Sequence, residues 1–207
     1  MKRREFTLGA AALSGLLALP IRAQSGKGYV ELRQRVQSEA PAGQIEVIEF
    51  FSYGCSHCRD FEPIFSNWKK SVPKDVLVHQ VHVGFNKSFE PLQRLFYALE
   101  ALDQVDAVQT KVYSALQADG KRLDKPEVLL PWIAEQGLDR AKFEEAYKSF
   151  GVATKVLRAV QLQEAYGVEG TPALGIAGRF YTDGAMAGGF DAMLKLADQL
   201  TAQARKG

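Results

Sequence analysis

Cys55 and Cys58 are the only cysteines of the 207-residue chain, and two residues separate them. Two cysteines at this spacing at the start of a helix can close a small disulfide ring, and the helix end offers free main-chain N–H groups to the first sulfur after reduction. The helix dipole, together with an imidazolium at His57, lowers the pKa of such a thiol and favours the reduced pair. Because a disulfide with a stabilised reduced form is an oxidant, the pattern predicts an oxidising dithiol site.

The same pair permits two other interpretations, a zinc site and a structural crosslink. Cys-x-x-Cys with a nearby histidine also describes half of a zinc centre, but a second half is missing. The remaining histidines, His79 and His82, are three residues apart on a predicted strand and would point to opposite faces. A structural disulfide across one helical turn would constrain almost no chain and add little stability. Redox chemistry without a metal or an organic cofactor is therefore the favoured interpretation.

The elements around the cysteines follow an α/β pattern. Residues 45–51 are rich in β-branched and aromatic side chains, which predicts a central strand, and a turn at 52–54 leads directly to the first cysteine. Apolar residues at helical spacing predict a helix over about 56–70, and residues 76–83 are the next predicted strand. This unit predicts a parallel crossover with the cysteines at a strand-to-helix junction.

The predicted secondary structure changes twice in the rest of the chain, first to helices alone and then back to an α/β pattern. Between residues 88 and 150 strand patterns are absent, and successive amphipathic segments predict a helical bundle, with Asp139 as one helix cap. A helix over about 153–166 then precedes a hairpin that turns at Gly178, and a final helix covers about 190–204. We therefore predict an α/β fold interrupted by an inserted all-helical domain.

The first 23 residues are typical of a secretory signal peptide. Basic residues at 2–4 precede an apolar stretch at 8–19, and Ala23 offers a cleavage point. The alternative is an N-terminal anchor helix, although the apolar stretch is short for a membrane span. The segment Arg3-Arg4-Glu5-Phe6 also resembles the twin-arginine export signal of bacteria.

The charge of the chain excludes partners that are recognised mainly by electrostatics. Residues 1–23 hold four basic residues and one acidic residue, so their removal changes the formal net charge from +2 to −1. A nearly neutral chain without a dense basic run has no electrostatic footprint for nucleic acid or for an anionic membrane. We predict neither partner.

Two segments together resemble the DsbA family of periplasmic thiol:disulfide oxidoreductases. Residues 49–58, Glu-Phe-Phe-Ser-Tyr-Gly-Cys-Ser-His-Cys, are similar to the active-site segment of that family, and residues 167–172, Gly-Val-Glu-Gly-Thr-Pro, are similar to its cis-proline loop. The resemblance implies a thioredoxin-like fold with a helical insertion. The expected division is a signal peptide at 1–23, a first thioredoxin-like part at 24–87, the insertion at 88–152 and a second thioredoxin-like part at 153–207.

The resemblance also implies roles for individual residues. Cys55 is expected to be the exposed nucleophile and Cys58 the buried resolving cysteine. Thr171 and Pro172 are expected to contact substrate, since a cis bond there would turn the main chain of Thr171 toward the disulfide. Ser56 departs from the proline that is common in the family at a position that tunes the strength of oxidation.

Two carboxylates are candidates for a supporting role. Glu49 lies on the predicted buried strand, where a carboxylate is costly unless it has a task, so it is a candidate proton acceptor or relay for Cys58. The alternative is a carboxylate at the edge of the sheet that reaches water. Glu62 also matches an acidic family position, and an exposed helix carboxylate is an equal alternative. Gln80 stands where some relatives carry lysine, so no charge pair is expected there.

The predicted function is a periplasmic disulfide oxidase acting on exported proteins with free cysteines. The resemblance implies that a membrane partner of the DsbB type reoxidises it. A thioredoxin-like reductase or isomerase is the first alternative, and a non-catalytic chaperone is the second. No dimerisation segment is identified before Tyr29, so we predict a monomer.

Overall fold

The computed structural model describes residues 28–206. Within them the chain forms one mixed sheet of five strands and eight α-helices. The strands are β1 (Val30–Glu31), β2 (Ile45–Phe51), β3 (Val76–His82), β4 (Ala173–Ile176) and β5 (Phe180–Asp183). The helices are α1 (Ser56–Lys69), α2 (Glu90–Ala101), α3 (Val105–Gln117), α4 (Pro126–Glu135), α5 (Arg140–Lys148), α6 (Phe150–Tyr166), α7 (Gly184–Ala187) and α8 (Phe190–Ala204).

The sheet runs in the order β1-β5-β4-β2-β3, which places β2 at its interior. β2 pairs in parallel with β3, as the crossover pattern predicted, and antiparallel with β4. The hairpin of β4 and β5 turns at Gly178, which has a positive φ of 63°. Because β2 is paired on both sides, the turn that follows it starts from a well-anchored strand.

Different helices cover the two faces of the sheet. Val47 of β2 belongs to a buried cluster with residues of α1 and α8. Phe50 lies on the opposite face, where its ring is 5.3 Å from that of Tyr166 in α6. The helices α2 to α5 pack on the second cluster, which extends away from the sheet. The predicted combination of an α/β body and a helical insertion is therefore confirmed.

Capping side chains fix where two of the helices begin. Asp139 caps α5 as predicted, since its carboxylate accepts hydrogen bonds from the main-chain N–H groups of Ala141 and Lys142. Helix α6 begins at Phe150, three residues earlier than predicted, because Ser149 caps it through the N–H of the third helical residue.

Within residues 28–206 no helix is long and apolar enough to cross a membrane. The predicted signal peptide at 1–23 lies outside the described residues.

Candidate redox site

The two cysteines lie at the junction of β2 and α1. The turn after β2 is closed by a 3.0 Å hydrogen bond from Cys55 N–H to the Ser52 carbonyl. Cys55 is the N-cap of α1, and its Sγ accepts a 3.3 Å hydrogen bond from Cys58 N–H. Cys58 is fully buried one turn into the helix, whereas Cys55 is half-buried. The strand-to-helix junction predicted from the sequence is thus present, and it makes the two thiols unequal.

The environment separates the acidities of the two thiols. The pKa of Cys55 is lowered to about 5, mainly by a hydrogen bond from the Cys58 thiol, against the opposing effect of burial. A hydrogen bond with Thr171 and the main-chain N–H groups of Cys58 and His57 lower it further. Burial raises the pKa of Cys58 well above its ordinary value. At neutral pH the exchange-competent thiolate is therefore on Cys55.

The loop before β4 reaches Cys55 from the other side. The Thr171–Pro172 peptide bond is cis, and the Thr171 carbonyl lies 3.3 Å from Cys55 Sγ. Thr171, 116 positions from Cys55 in the chain, is thus brought to the thiol as the motif predicted. A main-chain carbonyl beside the reactive sulfur is a suitable partner for an extended peptide.

A groove of about 420 Å³ lies beside His57 and the cis-proline loop. Its lining includes His57, Thr171, Pro172, Gly184, Ala185 and Phe190. His57 is exposed at this groove, and its main-chain N–H contributes to the acidity of Cys55. The sequence did not predict the groove, because its walls come from α1, the cis-proline loop, α7 and the start of α8.

Glu49 is completely buried on the face of β2 that α1 covers. Burial and then repulsion from Glu62 raise the pKa of Glu49 to about 8, while a 2.6 Å hydrogen bond from Gln80 Nε2 to its Oε2 acts in the opposite direction. A negative charge on Cys55 raises the pKa of Glu49 slightly further. The alternative of a carboxylate that reaches water is excluded. At neutral pH Glu49 carries a proton.

A chain of side-chain amides links Glu49 to the second carboxylate. Gln80 Nε2 lies 3.3 Å from Glu62 Oε2, and Gln109 Nε2 of α3 donates to the same oxygen at 2.5 Å. Ser66 Oγ donates to the other Glu62 oxygen at 2.7 Å. Glu62 is buried, so the alternative of an exposed helix carboxylate is wrong. The sequence did not predict the contact of Gln109, because a single glutamine on a helix does not indicate which group it binds.

His82 forms a hydrogen bond to the active-site turn that the sequence did not predict. Its ring packs 5.0 Å from the ring of Phe51. In addition its Nε2 accepts a 3.1 Å hydrogen bond from Tyr53 N–H, within the turn before the cysteines. Its Nδ1 lies 2.9 Å from the Val83 carbonyl, and burial lowers its pKa to about 4. The neutral ring thus holds the turn.

Within residues 28–206, no group of three or more His, Cys, Asp and Glu side chains is arranged to hold a metal ion. Two unequal thiols at a helix start, opposed by a cis-proline loop on a mixed sheet, define a dithiol redox protein of the thioredoxin class.

Comparisons with known proteins agree with this assignment. The DSBA-like thioredoxin domain family matches residues 46–201. The chain is 43% identical over 211 residues to the thiol:disulfide interchange protein DsbA of Bordetella parapertussis, covering 100% of both chains. It is 35% identical to the Pseudomonas aeruginosa protein of the same name, covering 96% of this chain and 93% of that one.

Solved structures show the same relationship. The crystal structure of Pseudomonas aeruginosa DsbA matches with a TM-score of 0.84 at 35% identity, covering 87% of this chain and 94% of that one. The oxidoreductase NmDsbA1 of Neisseria meningitidis matches with a TM-score of 0.78 at 29% identity, covering 87% and 93%. The chain belongs to the DSBA-like thioredoxin domain family, and it is a thiol:disulfide oxidoreductase that acts on proteins by dithiol-disulfide exchange.

Proposed function

We propose that the chain works in the oxidising direction and introduces disulfide bonds into exported proteins. The observation that carries this direction is the inequality of the two thiols. Cys55 is accessible and its pKa is about 5, so it is a good leaving group and is stable as a thiolate. A dithiol whose reduced form is stabilised in this way gives up its disulfide readily.

The exchange proceeds in two displacements. A substrate thiolate attacks Cys55 Sγ of the disulfide, the bond to Cys58 breaks, and the Cys58 sulfur leaves with the electron pair and takes up a proton. A second thiolate of the same substrate then attacks the substrate sulfur of the mixed disulfide and expels Cys55 as a thiolate. The substrate loses two electrons and gains a disulfide, and the chain ends as the reduced dithiol.

Glu49 is the proposed proton source for the buried Cys58 sulfur. A thiolate at Cys58 is unfavourable because burial raises the pKa of that thiol. The raised pKa of Glu49 keeps its carboxyl protonated at neutral pH, as a general acid requires. In the reverse reaction the same carboxylate would accept the proton. Gln80 supports this role, because its hydrogen bond limits how far the pKa of Glu49 rises.

Thr171 and Pro172 are the proposed substrate contacts. The Thr171 carbonyl beside Cys55 Sγ can accept a hydrogen bond from the main chain of an extended substrate. The adjoining groove then receives substrate side chains past Phe190, and His57 lies at its edge beside the mixed disulfide. Main-chain pairing combined with an open groove suits broad selectivity among unfolded proteins.

The proposed location is the periplasm. Residues 1–23 are proposed as the export signal, with the twin-arginine route as a candidate, and the reaction requires an oxidising compartment. A membrane partner of the DsbB type is proposed to reoxidise the dithiol, and the chain is proposed to act as a monomer without a cofactor. The division at 24–87, 88–152 and 153–207 is proposed as the domain organisation.

The reduction potential of the Cys55–Cys58 pair tests the direction. Equilibration with glutathione is expected to give an oxidising value, and His57→Ser is expected to make it more reducing. A strongly reducing value that His57→Ser leaves unchanged would instead support a reductase. Cys55→Ser is expected to abolish disulfide formation in an exported reporter protein, and survival of that activity would support a non-catalytic chaperone.

A further inference from the structure

Gln117 is the last residue of α3, and its side chain reaches the turn that carries the redox site. Its Nε2 donates to the Tyr53 carbonyl at 2.8 Å and to the Cys55 carbonyl at 3.1 Å. A primary amide has two N–H donors, so both hydrogens are engaged by the same turn. Gln117 lies 62 residues after Cys55, and no motif in the sequence singles it out.

Tyr53 is held in this turn through its N–H, its carbonyl and its ring. In the described part of the chain no main-chain N–H donates to the Tyr53 carbonyl, while Tyr53 N–H donates to His82 on β3. The Tyr53 ring packs 5.3 Å from the ring of Tyr113, which lies one helical turn before Gln117 on the same side of α3. Tyr53 is thus held by β3 at its N–H and by α3 at its carbonyl, while its ring packs against Tyr113 and also against the rings of Phe51, His82 and Phe96.

We propose that Gln117 is a positioning residue of the redox site, whose amide fixes the turn after β2 against the end of α3 and thereby places Cys55. The inference rests on Cys55 being the exchange thiol. The hydrogen bond by which Cys58 N–H stabilises the Cys55 thiolate is long, at 3.3 Å to Sγ. Hydrogen bonds at this length weaken steeply when a donor is displaced or tilted. A turn released from α3 therefore stabilises the Cys55 thiolate less well.

The test is the pH profile of Cys55 alkylation in the reduced full-length protein carrying Gln117→Met. Methionine has a similar length and volume but no N–H donor. We expect the midpoint of the profile to move to higher pH, and the thiolate fraction at pH values well below the midpoint to fall about three- to tenfold, since one pKa unit is a factor of ten. The reduction potential is expected to become more reducing at the same time.

Gln104→Met is the matched control. Gln104 precedes the first turn at the other end of α3 and also donates its amide to a carbonyl, that of Leu102 at 3.3 Å, without contacting the turn at the redox site. This variant is expected to keep the alkylation midpoint of the wild-type protein. If both variants lower stability to denaturant but only Gln117→Met moves the midpoint, the role of Gln117 is specific to the thiol.

An unchanged midpoint and potential in folded Gln117→Met would overturn the proposal. If that variant does not fold, the same alkylation profile is measured in Gln117→Asn. Asparagine keeps a polar amide at this position, but its shorter side chain cannot reach both carbonyls. An unshifted midpoint in Gln117→Asn would also overturn the proposal. The measurement reads the thiol itself, so a strongly reducing wild-type potential would contradict the oxidising direction without affecting the role of Gln117.

Discussion

Two ionisable side chains near the active-site turn have pKa values displaced in opposite directions. Cys55 has a pKa of about 5 and loses its proton at neutral pH, whereas Glu49 has a pKa of about 8 and keeps one. Hydrogen bonds to the sulfur cause the first displacement, and burial causes the second. In the reduced form the site thus holds a thiolate at Cys55 and a protonated carboxyl at Glu49. In the proposed exchange the thiolate is the group expelled from the mixed disulfide, and the carboxyl is the proton donor for Cys58.

Glu49→Gln is expected to stabilise the protein above neutral pH. The pKa of Glu49 is about 8 in the fold against an ordinary 4.5, so the wild-type fold is most favoured below about pH 4.5 and loses stability as the pH rises through 8. The amide that replaces the carboxyl cannot ionise, so the variant avoids this loss. The gain is expected to be on the order of 3 kcal/mol at about pH 9 and small at about pH 4.

Urea unfolding of the reduced proteins at the two pH values measures the effect of Glu49→Gln. Glu164→Gln provides the control, since Glu164 is an exposed carboxylate on α6. A stability difference between Glu49→Gln and wild type that is the same at both pH values would show that the Glu49 carboxyl is not protonated in the neutral fold.

Among the elements, β4 and α6 approach each other closely. Gly175 of β4 pairs with Ile48 of β2, and the ring of Tyr166 lies directly over it. A Cβ at Gly175 would be only 2.5 Å from Cε1 of that ring. The absence of a side chain therefore lets α6 lie close against the sheet, near the cis-proline loop.

Gly175→Ala is expected to destabilise the fold by about 1–3 kcal/mol, because the added methyl group must displace either the Tyr166 ring or the strand. Thermal or urea unfolding measures the loss. Gly151→Ala is the control, since it lies in the first turn of α6 with open surroundings and is expected to be neutral or slightly stabilising. Equal stability of the two variants would contradict the tight contact.

For the whole molecule, the redox state and the stability of the fold are linked through Cys55. The folded pKa of Cys55 is about 5 against an ordinary 9, so this thiol contributes stability to the reduced form that is complete above pH 9 and is lost as the pH falls through 5. The free energy that stabilises the reduced fold also favours reduction of the disulfide, which makes the disulfide an oxidant.

The reduced protein is therefore expected to be more stable than the oxidised protein at neutral pH. Since Cys55 is half-buried, solvent screening limits the difference to about 1–2 kcal/mol. Denaturant unfolding of both forms at about pH 7 and about pH 5 measures it, and the difference is expected to shrink at the lower pH. A more stable oxidised form would contradict the proposed direction of exchange.

Local patterns in the sequence determined the class of the protein and identified the two cysteines as the candidate redox site. The Cys-x-x-Cys pair, the strand before it and the Thr-Pro loop are each recognisable within a few residues, because the turn, the helix start and the strand depend on neighbouring positions. The predicted fold class and family are confirmed. The loss of strand patterns likewise indicated that the fold contains a helical insertion.

Only the tertiary structure decided how the redox site is supported. Glu62 proved buried, and Gln109 and Gln117 of α3 were found to donate hydrogen bonds to a carboxylate and to the active-site turn. The first contact spans 47 positions of the chain, and the second spans 64 positions. A polar side chain on a helix has the same sequence pattern whether it binds water or a distant carbonyl group. Its hydrogen-bond partner is therefore known only from the packing of the helices in the tertiary structure.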